Sequence, residues 1–169
     1  MLDLLHIENI AIIEQADIAF RPGFNALTGE TGAGKSIVID ALSAVLGQRA
    51  SRELIRTGAD HAFVSAVFSH IPEGLGGDLG VADAQEWLLQ REIYTDGKNV
   101  CRCNGRPMTV TQLRTLGSRL LNIHGQHDGI IRSDSACGSK RFVFGFAAYA
   151  AAALWSWQRN TSIFVICRL

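Results

Sequence analysis

Eight consecutive residues concentrate the chemistry this sequence can do: Gly29, Glu30, Thr31, Gly32, Ala33, Gly34, Lys35 and Ser36. Their spacing is G-x-x-x-x-G-K-S, the phosphate-binding P-loop or Walker A pattern. A nucleoside triphosphate packs several negative charges into a small volume. Backbone N–H groups of a tight loop can point at those oxygens only where no Cβ blocks the approach, and Gly29, Gly32 and Gly34 supply that freedom. The intervening Glu30, Thr31 and Ala33 complete the loop backbone. Lys35 can reach the β- and γ-phosphates as a point charge, and the Ser36 hydroxyl is suited to ligate Mg²⁺. A nucleoside triphosphate with Mg²⁺ is therefore the expected ligand, with Lys35 the expected catalytic cation.

The motif needs a strand before it and a helix after it. Phe24 to Leu27 is an apolar run that reads as the strand, and Lys35 to Leu46 carries apolar residues at helical spacing. The N-terminus of that helix adds unpaired N–H groups and the positive end of its dipole. Gly47 stops the helix. The fold class this implies is α/β, a P-loop NTPase.

Upstream, residues 1 to 20 read as two short strands turning at Asn9, a hairpin packed beside the phosphate-loop strand. Downstream, Gln48 to Asp60 is a polar loop holding Arg49, Arg52 and Arg56, a cluster that could contact phosphates or be no more than a solvated surface. Ala62 to Phe68 alternates as a strand, and His70 to Ala84 is a glycine-rich loop. Trp87 to Tyr94 and Asn99 to Cys103 are strands joined at Asp96-Gly97. Asn104-Gly105 is a second turn of the same kind, so 87 to 109 reads as an antiparallel β-meander. Thr111 is placed to cap a helix bearing Leu113, Leu116, Leu120 and Leu121.

Charge divides the 169 residues unevenly: all acidic residues lie at or before Asp134, where the net is −4, and residues 135 to 169 carry four basic residues and none acidic. The whole chain is neutral, so its overall charge points to no nucleic-acid surface. Cys101 and Cys103, two apart on a strand, share one face and read as packing residues; the four cysteines form no C-x-x-C or zinc spacing. Asp3, Glu8 and Glu14 interrupt any signal-peptide core, and a reducing cytosol fits.

The segments Thr28 to Ser36, Glu53 to Asp60 (E-L-I-R-T-G-A-D), Cys103 to Pro107 (C-N-G-R-P) and Ile123 to Asp128 (I-H-G-Q-H-D), taken in order, resemble the RecN family of bacterial DNA-repair proteins. These are relatives of the SMC proteins among the ABC-type ATPases. The resemblance runs from Met1 to about Asp128. It implies the N-terminal lobe of an ABC-type ATPase head, with the β-meander as part of it. It makes Gln126 the glutamine that touches Mg²⁺ and the attacking water, a catalytic and metal-contacting role that an amide can fill. His124 and His127 flank it without a third ligand at metal spacing. Arg49 or Arg52 falls where such ATPases carry an arginine near the nucleotide.

The resemblance also implies DNA as a partner, a C-terminal lobe, a head-to-head homodimer, and a cytoplasmic, nucleoid-associated location with no membrane role. No L-S-G-G run, no apolar strand ending in Asp-Glu and no sustained heptads occur in the sequence. Residues 1–134 therefore read as half of an ATPase, a truncated head that binds ATP for recombination and DNA-damage repair without hydrolysing it alone. The alternative is a free-standing P-loop nucleotide or metabolite kinase, whose lid arginines would come from 49–56. Residues 135–169 read as an aberrant apolar tail: a short membrane helix, a buried or interfacial helix over Phe142 to Trp157, or the product of a lost reading frame near residues 130–135. The joint break in charge and resemblance favours the last.

Overall fold

The computed structural model describes residues 1–30, 34–123, 142–145 and 161–167. Two sheets and two helices make up these residues. The larger sheet is antiparallel throughout, in the order β2-β1-β4-β5-β6-β7: β1 is Leu2–Ile10, β2 Ile13–Ala19, β4 His61–Ser69, β5 Glu86–Tyr94, β6 Asn99–Cys103 and β7 Arg106–Met108. The smaller sheet holds β3 (Phe24–Glu30), β10 (Thr161–Cys167), β9 (Phe142–Gly145) and β8 (Leu121–Ile123), in that order. Helix α1 is Lys35–Val45 and helix α2 is Val110–Leu120. The architecture is α/β with an antiparallel meander that runs from β4 through β7.

Alternation explains the large sheet. On β4, Ala62, Val64, Ala66 and Phe68 are buried; on β5, Trp87, Leu89, Arg91 and Ile93. These rows pack against α1, which turns Val38, Ala41, Leu42 and Val45 inward. Burying one such leucine or valine contributes about 1.5–3 kcal/mol. Cys101 and Cys103 do share the inner face of β6, as packing residues. On β1 the buried residues are Leu2, Leu5, Ile7 and Ile10, which is not a period of two. The register shifts between Leu2 and Leu4, and Asn9 has φ +54, so the strand changes face twice.

Three expectations from the sequence are corrected here. The β1–β2 hairpin turns at Ala11 and Ile12, not at Asn9, because Ala11 takes the left-handed conformation at φ +48 and Ile10 still pairs with Ile13. That hairpin pairs with β4 and not with the phosphate-loop strand β3, which belongs to the other sheet. Helix α2 is capped by Thr109, not Thr111: the Thr109 hydroxyl accepts from Gln112 N–H while the Gln112 side chain accepts from Thr109 N–H, a capping box.

In the tail, Phe142–Gly145 is a strand rather than the start of a helix. Thr161–Cys167 pairs antiparallel along all of β3, from Thr161 opposite Glu30 to Cys167 opposite Phe24. Among the described residues no helix is long and apolar enough to cross a membrane.

Candidate functional site

The strand–loop–helix unit that the motif requires is present. β3 delivers Gly29 and Glu30 as its last two residues, and α1 begins at Lys35. Thr31, Gly32, Ala33 and Gln126 lie outside the described residues. Gly34 joins loop to helix at φ +85 and ψ +2. That left-handed conformation favours glycine over any side chain.

The helix start fits an anion. Helix geometry leaves the first N–H groups of α1 without intrahelical acceptors. The N-cap of α1 is Gly34, which has no side chain to cap it, and no acidic residue occupies the first turn. Helix α2 shows the contrast, since Thr109 and Gln112 satisfy its own end. At α1 a phosphate would take the place of the absent cap and meet the positive end of the dipole. Lys35 is 8% exposed and Ser36 is exposed beside it. Lys35 can hold the β- and γ-phosphates of ATP, and the Ser36 hydroxyl can hold Mg²⁺.

The arginine cluster is divided. Arg52 donates from Nη2 to the Asp96 carbonyl at 3.3 Å, and Arg56 donates from Nη1 to the Ile12 carbonyl at 2.8 Å, with Glu14 at 3.7 Å from its Nη2. Arg52 is engaged at the β5–β6 turn and Arg56 at the β1–β2 turn. Arg49 is exposed and lines a groove along the outer side of α1 with Ile37, Asp40 and Ser43. Burial raises the pKa of Asp40. Of the cluster, Arg49 is the residue placed along the phosphate-loop helix, while Arg52 and Arg56 are engaged where a kinase lid would need them loose.

Two features escape sequence reasoning. Ile12 is 67% exposed at the tip of the β1–β2 turn, and its Cδ1 lies 4.0 Å from where a Cβ on Gly34 would stand. Its turn is fixed by Ala11 N–H to Leu54 O at 2.8 Å and by Arg56 N–H to Asn9 O at 2.9 Å. Arg91 is 3% exposed at an inward position of β5. The alternation Trp87, Leu89, Arg91, Ile93 marks it as a cation in an apolar row, which is the signal that could have found it.

The same unit occurs in known proteins. An AAA domain family model matches residues 4–96, more than half of the chain. The chain belongs to the AAA domain family. The AAA domain match runs from β1 through the turn after β5 and contains the whole strand–loop–helix unit. The DNA repair protein RecN of Bacillus subtilis is 45% identical over 133 residues, covering 76% of this chain and 23% of that protein. RecN of Vibrio cholerae is 42% identical over 132 residues, covering 75% and 24%. The chain thus spans about a quarter of the length of the curated relatives it matches. A solved structure described as showing ATP-driven dimerization and DNA-stimulated activation of SMC ATPases superposes with a TM-score of 0.58 at 28% identity, covering 69% of this chain and 79% of that one. The fold of this AAA domain is that of an SMC-type ATPase head, and the N-terminal region is RecN-like.

Proposed function

We propose that this chain is the ATP-binding lobe of a DNA double-strand-break repair ATPase of the RecN kind. The observation that carries this is the Gly34 junction: a left-handed glycine at the N-cap, and Lys35 and Ser36 as the first two residues of the helix that follows it. ATP binds through the backbone of Gly29 to Gly34 and the Lys35 cation, with Mg²⁺ on Ser36. Gln126 contacts Mg²⁺ and orients water. Hydrolysis needs an acidic pair and a signature segment that the 169 residues do not contain, so this chain binds without turnover. A C-terminal lobe, a second head and DNA are the partners, in the cytoplasm at the nucleoid.

The test is complementation in trans. Mixed with the C-terminal lobe of a RecN relative, the chain should gain ATPase activity that Lys35→Ala abolishes. Robust turnover by the chain alone, lost in Lys35→Ala, would contradict the binding-only reading. Phosphoryl transfer to a small acceptor without any partner would replace the proposal with a kinase.

A further inference from the structure

The smaller sheet is drawn from two parts of the chain. β3 and β8 belong to the N-terminal region that resembles RecN, while β9 and β10 lie in the tail beyond it. The order is β3-β10-β9-β8, so the two tail strands are what joins β3 to β8. β8 and β9 are parallel, β9 and β10 antiparallel, and β10 and β3 antiparallel. Hence β3, β9 and β8 all run one way, and β10 alone runs against them.

The reversed strand is the direct neighbour of the phosphate-loop strand. It pairs with all seven residues of β3. The pairing reaches the loop motif itself, with Ser162 opposite Gly29 and Thr161 opposite Glu30. A strand, a phosphate loop and a helix begin a βαβ unit, whose helix crosses over to a parallel strand of the same sheet. Here the strand that follows α1 is β4, which belongs to the larger sheet. Among the described residues β10 is therefore the one strand on β3, and it comes from outside the region shared with the relatives.

We infer that β10 is a stand-in: it occupies the edge of β3 on which a strand of the C-terminal lobe docks, so the tail closes this lobe to its partner. The inference rests on the RecN reading above, which supplies the second lobe. A strand added to a sheet edge is held by main-chain hydrogen bonds, and two strands cannot use one edge at once. A chain with its tail seated is withdrawn from association. Its apparent affinity for the lobe falls by the fraction of chains whose edge is open.

The test is binding of the full chain to the C-terminal lobe of a RecN relative. Among the described residues, 161–164 of β10 pair with β3 and not with β9. Adjacent strand residues direct their N–H groups to opposite sides, and proline has none to give. Ile163→Pro combined with Phe164→Pro therefore removes a bond to β3 whichever of the two makes it. The double variant should bind the lobe about tenfold tighter than wild type or more. Equal or weaker binding would overturn the stand-in, and so would a released chain that pairs with a second copy of itself and ignores the lobe.

A tether gives the converse reading without breaking a strand. Ala26 is exposed and stands opposite Val165, and such facing pairs lie within disulfide reach. In Ala26→Cys with Val165→Cys the bond should form in native protein, as peptide mapping reads it. The oxidised chain should bind the lobe about tenfold more weakly than the reduced chain or worse. A bond that does not form, or equal affinity before and after reduction, would overturn the stand-in alone. No binding of the lobe by any form would overturn the two-lobe reading, and the stand-in with it.

Discussion

Gly117 of α2 lies against Leu46, the C-cap of α1, so closely that a Cβ at Gly117 would stand 2.5 Å from the Leu46 carbonyl oxygen and 2.9 Å from its Cα. This contact reverses an ordinary expectation. In an open helix interior, Gly→Ala gains about 1 kcal/mol. Here the methyl meets backbone, which has no rotamer by which to move aside, and overpacking of this kind costs about 1–3 kcal/mol. Gly117→Ala should therefore lower the denaturation midpoint. A raised midpoint would show that the two helices are not in this contact.

Histidine chemistry makes the hairpin pH-sensitive. His6 on β1 reaches Asp17 on β2 through Nδ1 at 2.6 Å and Glu8 through Nε2 at 2.8 Å. Burial pulls the imidazole pKa down, but the hydrogen bonds to the two carboxylates outweigh it, and the net shift is upward. A raised folded-state pKa means that the folded chain holds the proton more tightly. The stabilisation is fully present below the unfolded value of 6.5 and is lost as pH rises through the higher folded value. Melting temperature should fall across that window in the wild type and fall less in His6→Gln. Identical pH profiles for the two proteins would count against the cross-strand pair.

The two core cysteines should be inert. Burial pushes the Cys103 thiol up to about 11 and raises Cys101 as well, with the Arg91 charge opposing the shift at Cys101. Both are buried, and thiolate is the reactive species. Peptide mapping after iodoacetamide at pH 8 should find 101 and 103 unmodified in native protein and modified after denaturation. Rapid native labelling at either position would contradict the packing of β6 against the core.

The parts of this fold legible in the sequence are those set by local chemistry. The motif and its helix needed only Gly34, Lys35 and the apolar spacing through Leu46. Asn104-Gly105 is a two-residue hairpin turn with both residues at positive φ, +47 and +77, as that dipeptide favours. Asp96-Gly97 looks the same in sequence but differs. Only Gly97 is left-handed, and the loop is the three residues Thr95 to Gly97, closed by Gly97 N–H to Tyr94 O at 2.9 Å. Local pattern could not decide which strand the first hairpin joins, because β1 pairs with β4, some sixty residues away. Nor could it show Arg91 reaching two carbonyls in and just after the last turn of a helix more than forty residues upstream. For the site, Gly34 to Ser36 stand where the spacing predicts, while Arg52 and Arg56 are taken by carbonyls that are distant in sequence.

The central claim, that the loop ending at Gly34 and the start of α1 hold ATP, is tested most directly by equilibrium binding of ATP with Mg²⁺ to the full chain and to Lys35→Ala. The account predicts saturable binding by the wild type, weakened at least tenfold by the substitution, which corresponds to about 1.4 kcal/mol or more. Equal affinity in the two proteins, or no saturable binding by the wild type, would contradict it.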